Sequence, residues 1–252
     1  MSDNLQPRGS DDTSLVQPLY APIKRRSFFM YAGATAGATA LVLAGCSKDS
    51  TNMPSTSGTI SLGAGDVGVL NYAYALEQLE AAFYAQVVKT PAGDFQAGEL
   101  AYFTEVAAHE AIHRDFLKAA INRDAPGKLL QNLMPNFTSI DFTKRAKAAS
   151  DTKLGVLDAA KAFEDLGVAA YNGAGKLIKT AAYLIIAGQI VSVEGRHAAY
   201  IRDLLDTTGK AFAGDDQVDP ISGLDKAMMP VDVIAAAQAF ITEKLDASTV
   251  GK

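Results

Sequence analysis

The fold is decided by the stretch at residues 106–113, which reads VAAHEAIH. Its apolar residues recur at the spacing of a helix, and the face that they define also carries Glu110 and His113. Side chains three residues apart on a helix lie on the same side. A buried carboxylate is costly unless a proton, a cation or a metal neutralises it. The stretch therefore predicts a helix with an ionisable pair on its inward face.

Four segments show the apolar period of a helix, and each interrupts its apolar face with a carboxylate. They cover residues 66–89, 97–123, 152–173 and 180–206. A connection of about 25 residues between the second and third segments is long for neighbouring helices, which predicts a crossover. A shorter helix near residues 231–245 closes the chain. The sequence thus predicts an all-α four-helix bundle with a crossover between its second and third helices and a short fifth C-terminal helix.

The second half of the bundle repeats the first. The stretch ALEQL at residues 75–79 matches AFEDL at residues 162–166, and in both a tyrosine follows the glutamate by seven residues. The Glu-x-x-His motif at residues 110–113 recurs at residues 194–197. Each half therefore contains one helix with a glutamate and one helix with Glu-x-x-His.

Six side chains on the four inner faces form a candidate metal site. One glutamate from each of two helices and a Glu-x-x-His pair from each of the other two make up the ligand set of di-iron and di-manganese carboxylate bundles. Four carboxylates and two neutral imidazoles also balance the charge of two divalent cations. Oxygen and nitrogen ligands without thiolates favour iron or manganese over zinc or copper(I). The predicted ligands are Glu77, Glu110, His113, Glu164, Glu194 and His197.

The choice between two glutamates of the first helix depends on the repeat. Glu80 lies on nearly the same helix face as Glu77, so periodicity alone does not separate them. Glu77 aligns with Glu164 of the second half, whereas Glu80 aligns with Gly167. The repeat therefore favours Glu77 as the ligand.

Residues beside the motifs are predicted to support the site or to face solvent. His109 has no glutamate at the same spacing and aligns with Val193, which favours a surface or supporting position over ligation. Tyr84 and Tyr171 either orient ligand carboxylates through hydrogen bonds or serve as core aromatics. Glu99 is interpreted as a solvated helix charge.

The motifs resemble those of the ferritin-like superfamily. The stretches AFEDLGVAAYNG at residues 162–173 and VEGRHAAY at residues 193–200 look most like its ferritin-like-domain branch, which includes bacterial secreted proteins and plant desiccation-related proteins. The resemblance covers residues 66–205. It implies a ferritin-like bundle with a metal site at the six predicted ligands. We expect that site to bind two divalent metal ions, iron in preference to manganese.

Three functions are compatible with such a site. The first is an oxidoreductase whose metal centre reacts with peroxide or oxygen as its small oxidant, including a di-iron oxidase or peroxidase and a manganese-catalase-like variant. The second is a structural or stress-protection bundle, similar to desiccation-related proteins, which binds metal without turnover. The third is metal storage. The motifs imply the site more directly than they imply one of these reactions.

Residues 1–46 have the pattern of an export signal. A basic segment containing Arg25 and Arg26 precedes a short apolar stretch, which ends in small residues and LAGC at residues 43–46. The arginine pair resembles a twin-arginine signal. The chain departs from that pattern at two positions, where it has Lys24 and Met30. LAGC resembles a bacterial lipobox, which implies lipidation of Cys46. The alternative is a single membrane-crossing helix, for which the stretch is barely long enough.

The remaining segments and the composition define the expected surroundings. Residues 47–65 lack an apolar period and predict a flexible tether, followed by the bundle at residues 66–206 and an extension at residues 207–252. A lipid on Cys46 would attach the protein to a bacterial membrane, on its periplasmic or cell-surface side. The net charge of −5 and the lack of a basic run argue against nucleic-acid binding. A homo-oligomer is left open.

Overall fold

The computed structural model describes residues 58–252, so the predicted export signal, Cys46 and most of the predicted tether lie outside the described residues. Four long helices and one short helix account for nearly all of its regular structure. Two short segments pair as parallel strands, and two single 3-10 turns occur at Ala211–Ala213 and Gln238–Phe240. The elements are β1 (Ile60–Ser61), α1 (Gly65–Lys89), α2 (Glu99–Asp124), α3 (Val156–Gly175), α4 (Ala181–Leu205), α5 (Pro230–Ala237) and β2 (Leu245–Asp246).

The long helices form two packed pairs. Helix α1 packs along α2, α3 packs along α4, and α1 also contacts α3. Helices α1 and α3 are buried over most of their length, while α2 and α4 keep an exposed outer face. A helix that is apolar on nearly all sides is expected at the centre of a bundle. The architecture confirms the predicted all-α four-helix bundle with a short fifth helix.

The segment between α2 and α3 runs along α1 from one end of the bundle to the other. The buried side chain of Asn71 donates to the Lys128 carbonyl at 2.8 Å and accepts from the Leu130 amide at 2.9 Å. Further along, Gln78 accepts from the Leu133 amide at 2.9 Å. These side chains supply hydrogen bonds that a backbone outside helices needs. The segment is therefore the predicted crossover, fixed to α1 by polar side chains.

The predicted start of the third helix is wrong by about one turn. The helix begins at Val156, not at residue 152, because Leu154 is extended and exchanges backbone hydrogen bonds with the crossover, accepting from Asp141 at 2.8 Å and donating to Ser139 at 3.0 Å. The Asp158 carboxylate accepts from the Gly155 amide at 3.2 Å and so satisfies a free donor at the helix start.

The predicted end of the fifth helix, near residue 245, is also wrong. The helix ends at Ala237, after which Ile241 pairs with Pro135 of the crossover and Leu245 pairs with Ile60 of β1. These pairings join the C-terminal extension to two distant parts of the chain. The spacing of apolar residues does not predict these pairings, because the paired residues are far apart in the sequence.

Glu99 is buried rather than solvated, which corrects the sequence interpretation. The residue is 2% exposed, and its Oε1 lies 2.7 Å from the Arg145 guanidinium. Arg145 belongs to the crossover, so this ion pair connects the crossover to the start of α2. A buried carboxylate requires such a partner.

A phenylalanine cluster fills one end of the bundle. Phe83 is fully buried and contacts Phe137 and Phe142 of the crossover and Phe163 of α3, with ring centroids 5.0–5.9 Å apart. Phe103 of α2 lies at the same end and is also fully buried.

Within residues 58–252, the helices all fall short of the length and apolarity that a membrane-crossing segment needs.

Candidate metal centre

The structure brings all six predicted ligand residues together midway along the bundle. The four glutamates are completely buried, the His197 residue is 4% exposed and the His113 side chain is 12% exposed. Each Glu-x-x-His pair lies on one inward helix face, as its spacing requires. The single glutamates of α1 and α3 approach from the two central helices.

The six residues form two overlapping groups. The first contains Glu77, Glu110, His113 and Glu194, and the second contains Glu110, Glu164, Glu194 and His197. Within each group, one donor atom from every residue lies within 4.8 Å of the others. Glu110 and Glu194 belong to both groups, so these two carboxylates are shared between them. Glu77 with His113, and Glu164 with His197, would each complete one half-site.

The two histidines face the carboxylates in equivalent ways. Nδ1 of His113 lies 2.9 Å from Glu194 Oε1, and Nδ1 of His197 lies 3.0 Å from Glu110 Oε1. Each histidine therefore lies closest to a carboxylate of the opposite Glu-x-x-His helix. The arrangement follows the sequence repeat.

Eight buried oxygen and nitrogen atoms of the centre, all able to bind a metal, lack a partner with hydrogen-bond geometry. They are one oxygen each of Glu77 and Glu164, both oxygens of Glu110 and Glu194, and Nδ1 of His113 and His197. Buried polar atoms without partners are rare in native proteins. These atoms converge on a shared space, and their chemistry suits iron or manganese. The residues therefore fit a buried metal site.

Without metal, proton binding has to neutralise much of this charge. Burial raises the pKa of Glu77 and Glu164 well above the ordinary value. Burial also acts on Glu110, but the two adjacent histidines outweigh it and lower its pKa to about 2. Burial opposes the charged form of His113 and His197, yet the surrounding carboxylates raise the pKa of each to about 12.

Two tyrosine hydroxyls donate to the outer oxygens of the single glutamates. Tyr84 of α1 donates to Glu164 Oε1 at 2.5 Å, and Tyr171 of α3 donates to Glu77 Oε1 at 2.5 Å. Each tyrosine thus contacts the glutamate of the other half of the repeat. Such bonds fix the orientation of a carboxylate and leave its second oxygen free for another partner.

His109 supports one histidine of the centre. Its Nδ1 lies 2.9 Å from Nε2 of His197, and the two rings stack with centroids 5.2 Å apart. Burial lowers the pKa of His109, so a neutral ring is favoured. The sequence placed His109 at the surface or in a supporting position, and the repeat offered no sign of this contact, since the equivalent residue is Val193.

Glu80 is buried near the centre but belongs to neither group. It is 4% exposed, and a Cβ atom at Gly167 would lie 3.0 Å from Glu80 Oε1. Burial and the carboxylates of the centre raise the pKa of Glu80 well above the ordinary value. The alignment of Glu80 with Gly167 thus has a steric reason, because glycine leaves room for the extra carboxylate.

Comparison with known proteins assigns the family. No individual curated protein matches the sequence. A family model described as a ferritin-like domain matches residues 65–207, which include α1 to α4 and all six residues of the centre. Because the match covers more than half of the 252 residues, the chain belongs to the ferritin-like domain family.

Proposed function

We propose that the bundle binds two divalent metal ions, iron in preference to manganese, and uses them in redox reactions with dioxygen or hydrogen peroxide. The observation that carries the proposal is the convergence of eight buried donor atoms without hydrogen-bond partners. The closest contacts of the two histidines with carboxylates, at 2.9 and 3.0 Å, lack hydrogen-bond geometry, so the cluster does not satisfy its own atoms. Atoms aimed at a shared space are typical of a metal site.

The ligands divide naturally between the two ions. Glu77 and His113 would hold one ion, Glu164 and His197 would hold the other, and the two remaining glutamates would bridge them. Four carboxylates and two neutral imidazoles balance two divalent cations, which makes complete burial tolerable. As Fe(II), the pair would supply two electrons, which with two protons reduce one dioxygen to hydrogen peroxide or one hydrogen peroxide to two waters.

The protein groups around the centre have roles that do not depend on the oxidant. Tyr84 and Tyr171 hold the single glutamates in position through their 2.5 Å hydrogen bonds. His109 holds the ring of His197, which fixes the nitrogen that faces the carboxylates. The apolar core excludes water and so limits the escape of reactive products.

A structural role for the metals is the second candidate. It is favoured by the complete burial of all four glutamates, each from a different long helix, because two ions would then join four helices at their midpoint. Within residues 58–252, the clusters able to hold an ion are the two overlapping groups of this centre. That number supports two ions per chain rather than storage of many.

Metal counting and oxidant turnover separate these functions. We expect purified protein loaded with Fe(II) or Mn(II) to hold two ions per chain and, with a chemical reductant added to regenerate the reduced metals, to consume peroxide or dioxygen catalytically. Two ions without turnover would favour the structural role, and uptake far above two would favour storage.

Variants test the ligand assignment. Glu164→Ala or His197→Ala should lower bound metal to one ion or none, measured by elemental analysis. Glu80→Gln is the matched control, because this buried carboxylate lies outside both groups and its loss should leave two ions. Unchanged metal content in both ligand variants would refute the assignment of these residues as metal ligands.

We also propose that the protein is an exported bacterial lipoprotein, related to the secreted and desiccation-related branch of its family. The support is the sequence of residues 1–46, with Arg25 and Arg26 as the export signal and Cys46 as the lipidation site. Cys46→Ala should move the protein from the membrane fraction to the soluble fraction of its host. Replacing both arginines with lysine should retain it inside the cell if the route is twin-arginine export.

A further inference from the structure

An apolar pocket lies at the end of the bundle opposite the phenylalanine cluster. Its lining comes from all four long helices and includes Ala73, Leu117, Ala170 and Ile190. The cavity volume is about 30 Å³. One water molecule needs about 10–15 Å³ by this measure, so the pocket has room for a diatomic molecule.

The inner end of the pocket adjoins one half of the metal centre. Ile190 lines the pocket one helical turn before Glu194. Tyr171 also lines the pocket, and its hydroxyl donates to Glu77 Oε1 at 2.5 Å. Tyr171 therefore connects the lining of the pocket to the Glu77 half-site.

The outer end of the pocket reaches the protein surface. Phe116 of α2, which is 41% exposed, and the half-buried Tyr183 of α4 both line it. The pocket thus extends from the surface between α2 and α4 towards the centre.

The pocket exists because the two halves of the repeat differ in side-chain size. In the alignment of the two Glu-x-x-His motifs, Ala187 of the pocket corresponds to Phe103. In the alignment of the two single glutamates, Leu76 of the pocket corresponds to Phe163. Phe103 is fully buried and Phe163 is 2% exposed, and both fill the phenylalanine end. The smaller residues leave the opposite end open.

The lining has few polar groups to offer a guest. The hydroxyl of Tyr171 is bonded to Glu77, and that of Tyr183 is bonded to Asp124. The buried Tyr72 hydroxyl has no partner among the described residues and could donate one hydrogen bond. Water in a cavity needs two to four polar partners, which this lining does not offer. Hydrogen peroxide has two hydroxyl groups and would also need several hydrogen bonds. Apolar cavities stay dry and bind xenon or other apolar guests.

We propose that this pocket binds dioxygen and admits it to the metal centre from the Glu77 side. The inference rests on the proposed function and selects dioxygen, rather than hydrogen peroxide, as the oxidant that uses this route. Hydrogen peroxide would have to give up its hydration on entry without receiving matching hydrogen bonds.

Xenon tests the pocket without any reliance on activity. Crystals of the wild-type protein held under xenon pressure should show a xenon atom among Ala73, Ala187 and Ile190. In Ala187→Phe, which introduces the residue found at the other end of the bundle, that xenon should be lost. Ala182→Phe, at an exposed position of the same helix, is the matched control and should keep it. If Ala187→Phe does not fold, Ala187→Val fills part of the same space.

Oxidation rates test the route. Variants that hold two Fe(II) ions are mixed in separate experiments with dioxygen and with hydrogen peroxide. We expect filling of the pocket to slow oxidation by dioxygen about tenfold or more and to leave oxidation by peroxide nearly unchanged. Absence of xenon from the wild-type pocket, or equal slowing of both reactions, would overturn the pocket's role. A chain that takes up no metal would instead overturn the proposed function.

Discussion

Metal binding to this centre should release protons, and the number follows from the ionisation of the ligands. His113 and His197 have pKa values of about 12 without metal, so both are protonated at neutral pH. Burial keeps the pKa of Glu77 and Glu164 well above the ordinary value, which favours their neutral form as well. A ligand must lose its proton before it binds a metal ion.

The expected release is about four protons for two ions, or about two for each ion. The apparent affinity for each ion should then rise about 100-fold per pH unit, or about 2.7 kcal/mol. The sign is fixed by the direction of the pKa shifts. Raising the pH removes the protons that compete with the metal, so binding tightens upwards through the neutral range and weakens towards acid.

Isothermal titration of metal-free protein with Mn(II) measures this release directly, since Mn(II) resists oxidation by air better than Fe(II). Titrations between about pH 6.5 and pH 7.5, in buffers with different enthalpies of ionisation, give the proton count from the slope of observed heat against buffer enthalpy. If His197→Ala keeps one ion, it should release about half as many protons as the wild-type protein. An affinity that stays flat across this range, with fewer than about one proton released per ion, would refute the reasoning.

Two further predictions concern residues that support the centre, and two concern glycines of the helices. Tyr171→Phe removes a hydrogen bond to a ligand carboxylate and should weaken metal binding about tenfold in a competition titration with a chelator. His109→Phe should weaken one of the two ions by a similar factor of about ten, whereas Val193→Ala, at the equivalent position of the repeat, should weaken neither. Gly173→Ala should lower the free energy of unfolding by about 1–3 kcal/mol, because its Cβ would overlap the Met228 carbonyl. Gly188→Ala meets no atom within 4 Å and should raise it by about 1 kcal/mol in the same thermal unfolding assay.

The sequence predicts the long helices and the convergence of the six residues well because both depend on local spacing. Glu110 and His113 share a helix face whatever the rest of the chain does. The repeat adds what spacing cannot, because it separates Glu77 from Glu80. The structure has Glu77 in one of the two groups and Glu80 in neither. Whether Glu77 binds metal stays a prediction until the variants are measured.

Features that depend on distant partners were not predictable in this way. Glu99 was interpreted as solvated because its partner, Arg145, lies in the crossover, where no periodic pattern fixes its position. The fifth helix was predicted too long because the pairing of Ile241 with Pro135 ends its apolar period only in three dimensions. The stacking of His109 on His197 joins two helices that are far apart in sequence.

The repeat predicts two equivalent half-sites, and the departures from it make them unequal. His197 is supported by His109, and Phe103 is fully buried at its end of the bundle, whereas the equivalent residues on the other side are Val193 and Ala187. The more supported half should be the more rigid one, because the ring of its histidine is held at Nε2 by His109. The half beside the pocket has fewer such constraints and an apolar opening towards solvent. If the centre reacts with a diatomic oxidant, this asymmetry gives the two halves different roles. The His197 half would hold its ion rigidly, and the Glu77 half beside the pocket would be the one that the oxidant reaches.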